Sequence, residues 1–152
     1  MTFLIGIISI GAYAQKYSSS ERPKNLEEQL NDEYCTGLFN SADGLIFDIA
    51  SSNNAFGYLN ILDWLQGRIA GLQVYKTRNG LSVPYLRGTL AGVYFNEMPV
   101  SLSFLESINN FDIAIIKVIK SPFLGGFNGS GGAIAIYSIG GEENGEDEIE
   151  SK

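Results

Sequence analysis

The side chains that most often carry catalysis are scarce in this chain. Its 152 residues include no histidine, which removes His-based triads, most zinc sites and the commonest general base together. The one cysteine, Cys35, has no partner for an internal disulfide and no histidine to activate it, so it reads as a free, buried thiol. Glu27 with Glu28, or Asp43 with Asp48, would supply paired carboxylates for acid/base work, but each is more simply a solvated or capping residue. The run Gly125-Gly126-Phe127-Asn128-Gly129-Ser130-Gly131-Gly132 has the glycine density of a phosphate cradle. It precedes an apolar strand-like segment instead of joining strand to helix, and no Gly-Lys-Ser/Thr follows. These glycines are therefore expected in a tight connection where neighbouring backbone comes close. No catalytic, cofactor-binding or metal-ligating residue emerges, and neither an enzyme nor a cofactor is expected.

The elements that would position any site follow from periodicity. Leu45 to Ile49 is a short apolar run bounded by Gly44 and by Ser51 to Asn54, which predicts a first strand. Tyr58, Ile61, Leu62, Leu65 and Ile69 recur at offsets of three, four, seven and eleven, with Asn60, Asp63, Gln66 and Arg68 opposite. That spacing predicts an amphipathic helix closed by a left-handed Gly71. Beyond it the period shortens toward two, and Leu72 to Lys76, Val83 to Arg87 and Gly92 to Asn96 read as strands. Pro84 cannot donate to a ladder, so its strand is expected at an edge or to begin there. Ser103 with Glu106 matches a capping box opening a short helix that carries Leu105 and Ile108. Ile113 to Ile119 is apolar on both alternating faces except for Lys117, as in a central strand covered on both sides. Ala133 to Ile139 closes the pattern, with Ile134 and Ile136 on one face and Tyr137 on the other. Strands and helices interleave irregularly, so the expected class is α+β, a small mixed β-sheet with two helices.

The ends differ from this body. Phe3 to Ile10, closed by Ala12-Tyr13-Ala14, reads as the apolar region and cleavage site of a secretory signal peptide over residues 1–14. A run of about 12 residues is shorter than the roughly 20 that a membrane span needs, so no span of its own is expected. Residues 15–40, polar and without sustained period through Leu30, are expected to be a flexible lead-in to a body over 41–140. Of the net charge of −7, −5 lies between Glu142 and Lys152, in six acids and one lysine. Residues 141–152 are thus expected to be a solvated, disordered acidic tail. The body is nearly neutral and carries no Lys/Arg stripe, which disfavours nucleic acid as a partner.

Five segments in order carry a family resemblance. Asn60 to Val74 resembles the helix and strand that open the plug domain of TonB-dependent outer-membrane receptors, and Leu86-Arg87-Gly88 is similar to that family's Arg-Gly turn. Val93 to Val100 is similar to its next strand and loop, Asp112 to Lys120 to the strand bearing its Ile-Glu-x-x-Lys type pattern, and Gly125 to Ile136 to its glycine-rich turn and closing strand. Tyr34 to Ile49 and the Asn-Glu-Met-Pro loop resemble the flavobacterial branch.

The resemblance implies a non-enzymatic, exported domain in the periplasm or associated with the outer membrane. It would occlude or gate a β-barrel supplied by another chain or lost by truncation, because closing a barrel takes a long further series of strands. The alternative is a soluble periplasmic adaptor that uses the same fold to contact protein or glycan. The implied partner is an outer-membrane β-barrel or another envelope protein. The candidate partner or ligand contacts are Arg87, Asn96, Glu97 and Met98. Arg87 reads either as the partner of a carboxylate on an enclosing barrel wall or as an ordinary exposed arginine. Asn96-Glu97-Met98 stands where the family has Asp-Gly before the loop proline.

Overall fold

The computed structural model describes residues 23–52, 54–123 and 131–140. The segment read as a signal peptide, the acidic tail and most of the glycine-rich run lie outside them. The element order is α1 (Leu26–Tyr34), α2 (Gly37–Ser41), β1 (Leu45–Asp48), α3 (Ile61–Leu65), β2 (Leu72–Lys76), β3 (Ser82–Leu86), β4 (Thr89–Leu90), β5 (Gly92–Phe95), β6 (Met98–Pro99), α4 (Leu102–Leu105), a 3-10 turn (Asn110–Asp112), β7 (Ile113–Ile119) and β8 (Ala133–Ser138). This is the α+β class with mixed pairing that the residue pattern predicts.

A run of β-branched residues makes β7 a strand, and its position makes it central. It lies between β1 and β8 in a five-stranded sheet ordered β1-β7-β8-β5-β6, and every one of its residues is buried. β8 is antiparallel to β7 but parallel to β5, with Gly92 beside Ala133 and Phe95 beside Ile136. Alternation sends Ile116, Val118, Ile134 and Ile136 to one face, where α3 and the three-stranded sheet β2-β3-β4 supply Leu62, Leu65, Leu72 and Leu86. Ile115, Ile119, Ala133, Ala135 and Tyr137 go to the other face, where they meet Cys35 and Phe39 from the N-terminal helices and Phe123.

Four local expectations are corrected. Residues 26–41 form two helices, not a flexible lead-in: Asn25 Oδ1 accepts the Glu28 amide at 2.7 Å and Glu28 Oε2 accepts the Asn25 amide at 3.1 Å, a complete capping box. The amphipathic helix spans only Ile61–Leu65, because Gly67 already turns left-handed at φ 85°. Gly71, also at φ 85°, instead opens the turn into β2, and Ile69 is buried from the intervening turns. The cap of α4 is Ser101, whose Oγ accepts the Phe104 amide, while Glu106 accepts the Ser82 amide at 2.9 Å. Lastly, Pro84 sits in the middle strand of its sheet. Its carbonyl accepts Ala91 N, so its missing donor faces the β4 side, where the ladder has ended at Leu90.

Candidate functional site

The four candidate contact residues lie at opposite ends of the sheet. Arg87 (φ 52°) and Gly88 (φ 81°) are the central pair of the two-residue turn joining β3 to β4; Asn96 (φ 45°) and Glu97 (φ 67°) are the corresponding pair between β5 and β6. Positive φ at both positions is the type I′ pattern, which matches the twist of the flanking strands. Because β5 and β8 are parallel, Asn96 lies where β8 finishes, and the Arg87 turn lies near its start. There a side chain at Gly131 would meet the Thr89 and Leu90 carbonyls.

At the first end Arg87 and Lys120 line a hollow of about 360 Å³ with Asp43, Gly44, Leu45, Val118 and Ser121. Neither cation makes an ion pair among the described residues, so this end offers two unpaired positive groups beside one acid. The Arg87 amide is engaged, donating to the Gly71 carbonyl at 2.8 Å, which fixes the turn and leaves the exposed side chain free to reach outward.

At the second end two of the three candidates turn inward. Asn96 Oδ1 accepts the Ser138 amide at 3.0 Å and its Nδ2 donates to Ser138 Oγ at 3.0 Å, sealing β5 to β8. Glu97 accepts the Thr36 amide at 2.6 Å, the Thr36 hydroxyl, and the Tyr137 hydroxyl at 3.1 Å. Met98 alone stays available to a partner, 64% exposed. A left-handed backbone at a residue with a β-carbon costs roughly 1–2 kcal/mol, and the three donors at Glu97 oppose that cost.

Sequence reasoning treated Lys117 only as the exception in an apolar strand. It is 2% exposed, and its Nζ donates to Asn31 Oδ1 at 2.5 Å and to the Phe39 carbonyl at 2.6 Å. Burial pushes its pKa below the ordinary lysine value. On the same face burial raises the Cys35 thiol above its ordinary 9.0 and Tyr94 above 10.0. Tyr137 is raised first by burial, then by Cys35 and Glu97.

Groups held protonated in the fold contribute stability that is complete below their unfolded pKa values and is lost as pH rises. Lys117 works in the opposite sense, its burial cost easing with pH, but it is one group against three. Urea midpoints should therefore be level to about pH 9 and fall steeply above pH 10; a level profile to pH 11 would contradict these assignments. Among the described residues no group of three or more His, Cys, Asp or Glu side chains is placed to hold a metal ion, and no helix is long and apolar enough to cross a membrane.

Fold and turns together define a small α+β domain built on a mixed five-stranded sheet braced by a second, antiparallel one. This fold recurs within much larger solved chains. The structure of the RagAB peptide importer in the closed-closed state matches with a TM-score of 0.53 at 20% identity, over 65% of this chain and 12% of that one. The open-open state matches with a TM-score of 0.53 at 21% identity over the same shares, and the RagAB peptide transporter with 0.51 at 20%. The matched part thus spans about an eighth of those chains. No family model and no curated protein matches.

Proposed function

We propose that this chain is a plug-like domain of the TonB-dependent receptor type, acting without catalysis by filling or gating an outer-membrane barrel. The observation that carries the reading is the fold: 65% of the chain superposes on part of a peptide importer, and it carries the five resembling segments in family order. Export to the periplasm belongs to the same proposal. Arg87 and Lys120, which make no ion pair among the described residues, suit docking against carboxylates of a barrel wall.

Crosslinking in intact envelopes, followed by purification of the chain, tests this. Recovery of an outer-membrane barrel is expected, with Arg87→Glu lowering the yield about tenfold. A monomer found only in the soluble fraction would overturn occlusion and favour an adaptor of the same fold.

A further inference from the structure

The helix pair α1–α2 is attached differently from the rest of the molecule. No residue of α1 is buried, and Leu26 stands 61% exposed. Apolar contact comes from Phe39 and Cys35, with Leu30 and Tyr34 packed beside them, and a set of polar bonds to the sheet adds to that hold. Lys117 reaches from β7 to Asn31 in α1 and to the Phe39 and Asn40 carbonyls in α2, the last at 3.4 Å. Asn31 Nδ2 donates to the Asn40 carbonyl at 3.0 Å, and Asn40 Nδ2 returns a bond to the Asn31 carbonyl at 3.2 Å and another to that of Cys35 at 3.1 Å. At the opposite end of α2, Glu97 takes the amide and hydroxyl of Thr36. A five-residue helix leaves most of its terminal amides and carbonyls without intrahelical partners. Here the sheet supplies them, a carboxylate at the first turn and an amine at the last.

Both groups are costly where they stand. Lys117 is a buried amine with no carboxylate at hydrogen-bond distance among the described residues, and Glu97 occupies a left-handed position. Their contacts converge on residues 31–40, apart from the Tyr137 bond to Glu97. The apolar side chains divide the same way. The cluster containing Cys35 and Phe39 shares no residue with the one containing Trp64, so the first can open without emptying the second.

We propose that residues 26–41 are a clasp that opens and closes as one unit over the sheet, with Lys117 and Glu97 as its two catches. Opening bares Tyr94, Ile119 and Ala135 while the Trp64 face stays packed. This is sub-global opening of a segment whose longer helix buries no residue outright, and it stands whether or not the domain occupies a barrel.

The molecule carries both reporters needed. Cys35, its only cysteine, lies between the clasp helices at 3% exposure, and Trp64, its only tryptophan, lies in the opposite core. Thiol labelling of the native chain with a soluble disulfide reagent would be timed against unfolding followed by Trp64 emission. Cys35 should react at least tenfold faster than Trp64 reports unfolding. Lys117→Met and Glu97→Gln should each speed labelling about tenfold further with Trp64 emission unchanged. If Lys117→Met does not fold, Glu97→Gln and Asn31→Ala carry the same comparison. Labelling that proceeds only at the rate of Trp64 unfolding would overturn the clasp, since helices and body would then be one cooperative unit.

Discussion

Gly132→Ala should cost the domain about 3–5 kcal/mol, a large part of the roughly 5–15 kcal/mol that holds a domain folded. Gly132 sits at φ 104°, beyond even the left-handed helical region that other residues visit. A β-carbon there would run into the Ile119 carbonyl, with Leu86 Cδ1 at 3.2 Å on its other side. Ile119 pairs with Ala133 at the very start of the β7–β8 ladder, so relief by movement would break the central register. Strain of about 1–3 kcal/mol and overpacking of about 1–3 kcal/mol therefore add. Gly88→Ala is the control: its φ is 81°, but a side chain would meet nothing within 4 Å. It should lose only about 1 kcal/mol. Equal urea midpoints for the two variants would show that the close approach at Gly132 carries no energy.

Trp64→Ala is the second large effect, about 3–5 kcal/mol. Trp64 is 3% exposed, meets Phe47 edge-on at 5.9 Å between ring centres, and carries the Arg68 guanidinium 4.3 Å above its ring. It thus ties α3 to β1, and its loss leaves a cavity that five helical residues cannot close. Trp64→Phe should be far milder, within about 1.5 kcal/mol, because the indole Nε1 is buried with no hydrogen-bond partner among the described residues and its removal forfeits no bond to them. A denaturation series showing Phe as costly as Ala would mean that the indole, and not the ring volume, holds the layers.

The strands were legible because β-branched runs such as Ile113 to Ile119 leave little else for the chain to do, and the split of Ile134 and Ile136 from Tyr137 across β8 follows from alternation alone. The N-terminal helices were not, since their polar composition hid them; the signal was Asn25 followed by Glu28, a capping box at the edge of an otherwise aperiodic stretch. Helix α3 was overread because its apolar residues continue past its end: Ile69 is buried from a turn, and periodicity cannot tell that from a helix.

The candidate contacts divided for a similar reason. Periodicity ended strands at Arg87 and Asn96, and the resemblance set a turn at Arg87-Gly88 and a loop after the second strand; Arg87, Asn96 and Glu97 all lie in turns, but the inward bonds of Glu97 depend on Thr36, 61 positions away. Lys117 is the one charged residue of the Ile113 to Ile119 run, and the pattern of types around it says nothing of a partner. Only the helices folded over β7 disclose what the Lys117 amine holds.

The order of assembly is written into where β8 lies. It stands between β7 and β5, antiparallel to one and parallel to the other, yet among the described residues it follows both of them in sequence. While a ribosome is still extending the polypeptide, β5 and β7 have no common neighbour, and the hydrogen-bonded row between them stays vacant until Ser138 has emerged. Non-local pairing of this kind slows folding, so a nascent molecule keeps this sheet open and threadable until β8 has been made.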